Sequence, residues 1–93
     1  MVVGLLHLIL RIPESQSLKG KRQILLGLKT RLRGRFNISL SETATQDKWQ
    51  MATLSIACVG TSPAGVNGVL SQVENVVGQE RAVELVDAQL ELL

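Results

Sequence analysis

The feature of this sequence best suited to binding a ligand is a stretch of twenty residues that contains seven basic side chains. The stretch Ser17 to Phe36 contains no Asp or Glu, and its basic residues are Lys19, Lys21, Arg22, Lys29, Arg31, Arg33 and Arg35. The rest of the 93-residue chain carries three basic and all eight acidic residues, so +7 in the stretch against −5 elsewhere gives the net +2. Clustered ammonium and guanidinium groups recognise phosphate oxygens. The asymmetry predicts an anion-binding surface.

The spacing within this stretch predicts a helix with one basic side. At about 100° per residue from Leu18, the residues of the apolar side are Leu18, Leu25, Leu28 and Leu32. A basic stripe flanks them, made of Lys19, Arg22, Lys29 and Arg33. Arg31 and Arg35 fall on the opposite flank, and Lys21 falls among the leucines. A ridge of this kind suits phosphates spaced along a nucleic-acid backbone.

An ordinary solvated helix face is the alternative explanation of the charge. The helix dipole favours cations at the C-terminal end, which accounts for Arg31 and Arg33. It does not account for Lys19, Lys21 and Arg22 in the first turns, where acids are favoured, and no glutamate supports the stripe. We therefore predict phosphate contacts for the basic stripe, with Lys21, Arg31 and Arg35 assisting.

Other residues capable of chemistry are few and do not combine. His7 has no Ser, Cys or Asp partner near it in sequence, so we interpret it as structural. Cys58 is the only cysteine, which excludes an internal disulfide, and its strand pattern predicts a core position. Glu42, Asp47 and Glu80 lack metal-ligand spacing, and we expect Glu42 and Asp47 to pair with nearby cations. No catalytic residue, metal site or cofactor is predicted.

Trp49, in the run "QDKWQ", has two interpretations as a surface contact or a packing residue. An exposed indole stacks on nucleobases, whereas a packed one covers a core edge with its N–H satisfied. We favour packing and keep base contact open. The run "GTSPAG" has neither spacing nor lysine of a phosphate loop, and it predicts a helix capped by Ser62 instead.

The elements that position these residues alternate between strand and helix. The pattern predicts a central strand at 2–12, a helix from Leu18 to about Arg33 ended by Gly34, an edge strand at 36–41, a strand at 51–60, a helix at 63–78 and a strand at 82–93. In the last strand we expect a buried face of Val86, Ala88, Leu90 and Leu92. Right-handed crossovers then give an α+β, ferredoxin-like βαββαβ sandwich, with two helices on one face of a four-stranded antiparallel sheet. Residues 1–93 form one domain.

The uncovered face of this sheet is predicted to be semi-apolar. Its positions are Leu5, His7, Ile9, Thr53, Ser55 and Ala57, without the aromatic residues on which related RNA-binding sheets stack bases. The helix is therefore the better candidate for RNA, and the sheet face for a homodimer. The apolar N-terminal run is interrupted by His7, Arg11 and Pro13 and is too short for a membrane span. With a single cysteine, this predicts a cytoplasmic protein without membrane partners.

Longer motifs of the chain resemble the YlxP-like family of small bacterial proteins. They are "SLKGKRQILLGLKTRLRGRFNISLSE" and "QDKWQMATLSIACVG". The resemblance implies a ferredoxin-like fold. Because the genes of this family often lie beside those for transcription and translation factors, including a ribosome-binding factor, it also implies a role near RNA or the ribosome, and it implies no catalytic activity. We expect a non-enzymatic RNA- or ribosome-associated accessory factor. The alternative is a homo-oligomer binding a small ligand or a protein through Leu5, Ile9 and Ala57. An acylphosphatase-like enzyme is disfavoured because "RIPESQS" is not its phosphate loop.

Overall fold

The predicted order of elements is confirmed by the computed structural model, which describes all residues from Met1 to Leu93. The elements are β1 (Val2–Arg11), α1 (Leu18–Arg35), β2 (Ser39–Ala44), β3 (Met51–Gly60), α2 (Pro63–Gly78) and β4 (Glu84–Leu92). All strand pairs are antiparallel, in the order β2-β3-β1-β4. Residues 4–10 of β1 and 52–58 of β3 are buried beneath the helices at their even-numbered positions, so this is the α+β ferredoxin-like arrangement. Neither helix combines the length and apolar composition needed to cross a bilayer.

Both helices begin at the predicted serine caps. Ser17 Oγ accepts a hydrogen bond from the Gly20 N–H at 3.0 Å, and Ser62 Oγ accepts one from the Gly65 N–H at 3.1 Å. Pro63 then occupies the first turn of α2, where its missing N–H costs nothing. α1 continues past its predicted end, because Gly34 has no positive φ and remains helical.

The edge strands depart from the predicted boundaries. β2 is an edge strand as predicted but starts at Ser39, because Phe36 closes α1 by donating its N–H to the Leu32 carbonyl. In β4 the pairing with β1 shifts register between Ile9 and Leu10. The shift sends Val86 to the surface, where it is 58% exposed, and brings Leu85 opposite Leu10. The predicted buried face of β4 is therefore wrong at Val86, and Leu90 and Leu92 at this open edge are only partly covered.

The two helices lie at different distances from the sheet. Beneath α2 the sheet carries Gly4 and Gly60, and a Cβ at these positions would lie 2.4 Å and 2.7 Å from the methyl groups of Val66. α1 instead packs through Leu25, Leu28 and Leu32, and its backbone makes no comparably close approach to any strand. The two glycines of the sheet thus allow α2 to pack closely against it, whereas the leucines of α1 keep that helix further from the sheet.

Candidate nucleic-acid interface

The basic stripe of α1 forms as predicted on an exposed side of the helix. Lys19, Arg22 and Arg33 are exposed, and Lys29 is half-buried. α1 contains no acidic residue, and no carboxylate lies within 4.0 Å of any of the four charged groups. With a rise of about 1.5 Å per residue, the stripe extends over roughly 21 Å from Lys19 to Arg33. Its cations are therefore spread along one side of the helix without a carboxylate partner.

Contacts on the two flanks of α1 fix the direction in which the stripe faces. On one flank Arg31 forms an ion pair with Glu80, which follows α2. On the stripe side Arg33 donates to the Leu40 carbonyl of β2 at 3.0 Å. The stripe consequently lies on the side of α1 that faces the edge strand β2 and away from α2. Arg35 lies at the end of the helix, 5.6 Å from the centre of the Phe36 ring.

A leucine interrupts this charged surface. Leu26 is 62% exposed and follows Arg22 by one helical turn, three residues before Lys29. Its helical angle is about 80° from Leu18, within the sector of the stripe. The sequence analysis did not identify Leu26, although its angular position on the helix places it in this sector. The surface therefore offers an apolar contact among its cations.

Lys21 does not belong to the exposed surface, and its predicted phosphate contact is wrong. Its side chain is 1% exposed, and its ammonium donates to Glu42 Oε2 at 2.8 Å, to the Thr45 carbonyl at 2.6 Å and to the Met51 carbonyl at 3.0 Å. These three acceptors use all three N–H groups of the ammonium. Thr45 has a φ of 66°, an uncommon conformation for threonine, so Lys21 also holds a turn there. The expected pairing of Glu42 with a cation is confirmed.

The tryptophan loop, residues 45–50 between β2 and β3, packs against the connection between β1 and α1. Ile12 N–H donates to the Gln50 carbonyl at 2.8 Å, and Gln50 Nε2 donates to the Ser15 carbonyl at 3.1 Å. Trp49 is 52% exposed. About half of its side chain is covered, as the favoured packing interpretation predicts, and the other half is open to solvent. Asp47 makes no ion pair, and the pairing predicted for it is wrong. Trp49 therefore stays available as a surface contact.

The open sheet face contains a polar chain that the sequence analysis missed. His7 Nδ1 lies 2.9 Å from Ser55 Oγ, which in turn lies 2.6 Å from Thr43 Oγ1. The partner of His7 lies 48 residues away in sequence, and only the antiparallel register of β1 and β3 brings them together. The alternating patterns place both residues on the same face, but they leave the register open to shifts by an even number of residues, so the sequence did not reveal this contact. Cys58 is buried as predicted, and no cluster of three or more His, Cys, Asp or Glu side chains is placed to hold a metal ion.

Comparison with known proteins places the chain among proteins of undetermined role. The family model "Protein of unknown function (DUF503)" matches residues 3–90. The chain belongs to this family. It is also 43% identical over 51 residues to the uncharacterized protein YlxP of Bacillus subtilis (strain 168), which confirms the YlxP-like resemblance. The match covers 55% of each protein, so the matched region spans about half the length of that curated relative. Neither description assigns an activity.

Proposed function

We propose that this DUF503 protein is a non-enzymatic RNA-binding accessory factor that contacts phosphates through the basic stripe of α1. The observation that carries the proposal is the absence of a carboxylate partner along the whole stripe, in a helix without acids. A surface of unpaired cations is costly in its self-repulsion and favours polyanionic ligands. Ribosomal subunits are the RNA to test first, since the resemblance implies a role beside them.

A salt series tests the proposal together with charge reversal. Four phosphate contacts to a single strand predict a slope of about −3 for log affinity against log salt, at about −0.7 for each contact. The triple variant Arg22→Glu, Lys29→Glu, Arg33→Glu should abolish co-sedimentation with ribosomal subunits and binding to labelled RNA. Arg22→Glu alone should weaken binding more than Arg81→Glu, which makes the same change in net charge outside α1.

The outcome against the proposal is equally specific. If the triple variant keeps its circular dichroism spectrum and binds RNA as tightly as the unmodified protein, the stripe is not the binding surface. Equal losses from Arg22→Glu and Arg81→Glu would show that only net charge matters.

A second candidate is a homodimer through the open sheet face. Down its centre lie half-buried Leu5, Ile9 and Ala57, with no element of the chain covering them. The lateral strands differ: β2 presents Ser39, Ser41 and Thr43, and β4 presents Asp87, Gln89 and Glu91. A two-fold axis parallel to the strands would lay the hydroxyls of one copy against the carboxylates of the other.

The size of the face is adequate for this candidate. Four strands about 4.8 Å apart and up to ten residues long, at about 3.3 Å each, give roughly 600 Å² for each copy. Two copies then bury about 1,200 Å², the lower bound for a stable interface. Sedimentation equilibrium tests the candidate, because a strict monomer at high concentration contradicts it.

A further inference from the structure

Trp49 is the only large aromatic surface that the fold leaves available. The chain has one Trp, one Phe and no Tyr. Phe36 is half-buried at the end of α1, under Arg35, whereas Trp49 is 52% exposed. Indole is an effective platform for stacking a nucleobase, because every base has a π-face. The exposure of Trp49 does not result from a loosely held loop, because hydrogen bonds fix the loop on both sides of the indole.

The tryptophan loop is held in place from three directions. Lys21 of α1 donates to the carbonyls of Thr45 and Met51, which bracket the loop. Gln50 donates its side-chain amide to the Ser15 carbonyl, and its own carbonyl accepts from Ile12 N–H. The Lys48 N–H closes an internal turn by donating to the Thr45 carbonyl at 3.0 Å. A platform fixed in this way loses little conformational freedom when a ligand stacks on it.

A shallow, open depression lies beside the indole. Its volume is about 420 Å³, and its lining consists of Asp47, Lys48, Trp49, Gln50 and Met51. These are consecutive residues of one loop and the start of β3, so the depression can receive one face or edge of a ligand without enclosing it. The amide of Gln50 is committed to backbone carbonyls, but Asp47 and Lys48 form no ion pair. The Asp47 carboxylate can therefore accept and the Lys48 ammonium can donate a hydrogen bond beside the indole. This pair complements the edge of a nucleobase, which carries both donors and acceptors.

The tryptophan loop lies beside the N-terminal end of α1, where the basic stripe begins. Lys21, which anchors the loop, lies in the same turn as Lys19 and Arg22, the first two residues of the stripe. The stripe faces β2, as the contact between Arg33 and Leu40 shows, and the tryptophan loop is the continuation of β2. A strand lying along the stripe toward its N-terminal end thus arrives at Trp49.

We infer that Trp49, with Asp47 and Lys48, forms a site for one unpaired nucleobase at the end of a single strand's path along α1. The inference rests on the proposed RNA-binding function and adds the substrate class, single-stranded over duplex RNA. Bases of a duplex are stacked on each other and are not free to stack on the indole. A peptide at Trp49 is the competing occupant, and it has no need of the cations along α1.

The experiment uses Trp49 as its own reporter, since the protein has no other Trp and no Tyr. Fluorescence of the full chain is titrated with a single-stranded oligoribonucleotide of about ten nucleotides. A duplex of the same composition is titrated in parallel, and binding is followed independently by the anisotropy of labelled RNA. Quenching that saturates together with the anisotropy, for the single strand only, is the expected result. Trp49→Ala should lower single-strand affinity by about 5- to 150-fold, whereas Trp49→Phe should keep most of it.

The outcomes separate this inference from the proposed function. Saturable anisotropy with unchanged fluorescence, unchanged affinity in Trp49→Ala, or equal quenching by the duplex overturns the nucleobase site and leaves RNA binding through the stripe standing. No anisotropy change with any RNA at low salt overturns both. Salt dependence should be the same in Trp49→Ala as in the unmodified protein, because stacking releases no counterions.

Discussion

At the scale of single residues, Lys19 and Lys21 show how two identical side chains acquire opposite roles two positions apart. Lys19 is exposed and has no partner, whereas the ammonium of Lys21 is enclosed by Glu42 and two backbone carbonyls. Burying a charge is tolerated only when it is paired and fully hydrogen-bonded. Lys21 therefore stabilises the fold, whereas Lys19 is a surface residue.

This contrast gives a stability prediction with a built-in control. Lys21→Met should lower the free energy of unfolding by about 3 kcal/mol, because it leaves the half-buried Glu42 carboxylate without its cation and takes one donor from each of the Thr45 and Met51 carbonyls. Lys19→Met should change it by less than about 0.5 kcal/mol. Urea denaturation followed by circular dichroism measures both. Equal effects of the two substitutions would show that the enclosed ammonium contributes nothing particular.

At the scale of elements, glycines decide how closely each helix approaches the sheet. Gly4 and Gly60 make room for Val66 in α2, while Gly27 of α1 has only the guanidinium of Arg31 within 4.0 Å of its Cβ position. The same residue type is thus required for packing in one place and is merely tolerated in a helix in the other.

Alanine substitution should separate these two roles. Gly4→Ala places a methyl group 2.4 Å from Val66 Cγ1 and 2.7 Å from Leu70 Cδ1, and we expect a loss of about 1–3 kcal/mol. Gly27→Ala should instead gain about 0.5–1 kcal/mol, since alanine is the better helix former. Thermal unfolding of the two variants measures the difference. A neutral Gly4→Ala would mean that α2 moves away from the sheet at little cost.

At the scale of the whole molecule, the helices cover one side of the sheet and leave the other bare. The body measures 42 × 21 × 17 Å, and the bare face carries its apolar residues in the centre. For a homodimer through this face, Leu5→Glu should give a folded monomer in sedimentation equilibrium. Leu26→Glu, the same change at an exposed leucine on α1, should leave the dimer intact. Dissociation by both variants, or by neither, would argue against this interface.

Sequence alone predicted the order of elements, the caps and the stripe, because these depend on local periodicity and on the chemistry of Ser17, Ser62 and Pro63. It did not predict what depends on contacts distant in sequence. The enclosure of Lys21 needs acceptors 21 to 30 residues away, and the exposure of Val86 follows from a register shift against β1. The indole of Trp49 was misjudged for the same reason, since its exposure depends on how the loop is anchored to α1.

Because α1 and α2 stand at different distances from the sheet, the helical side of the molecule has an uneven surface. α2 lies close to the sheet and carries one charged residue, Glu74, whereas α1 stands further from the sheet and carries the basic stripe along one side. If the basic stripe binds RNA as proposed, a rigid and flat partner would meet α1 before α2, whereas a flexible strand could also follow the side of α1 toward β2.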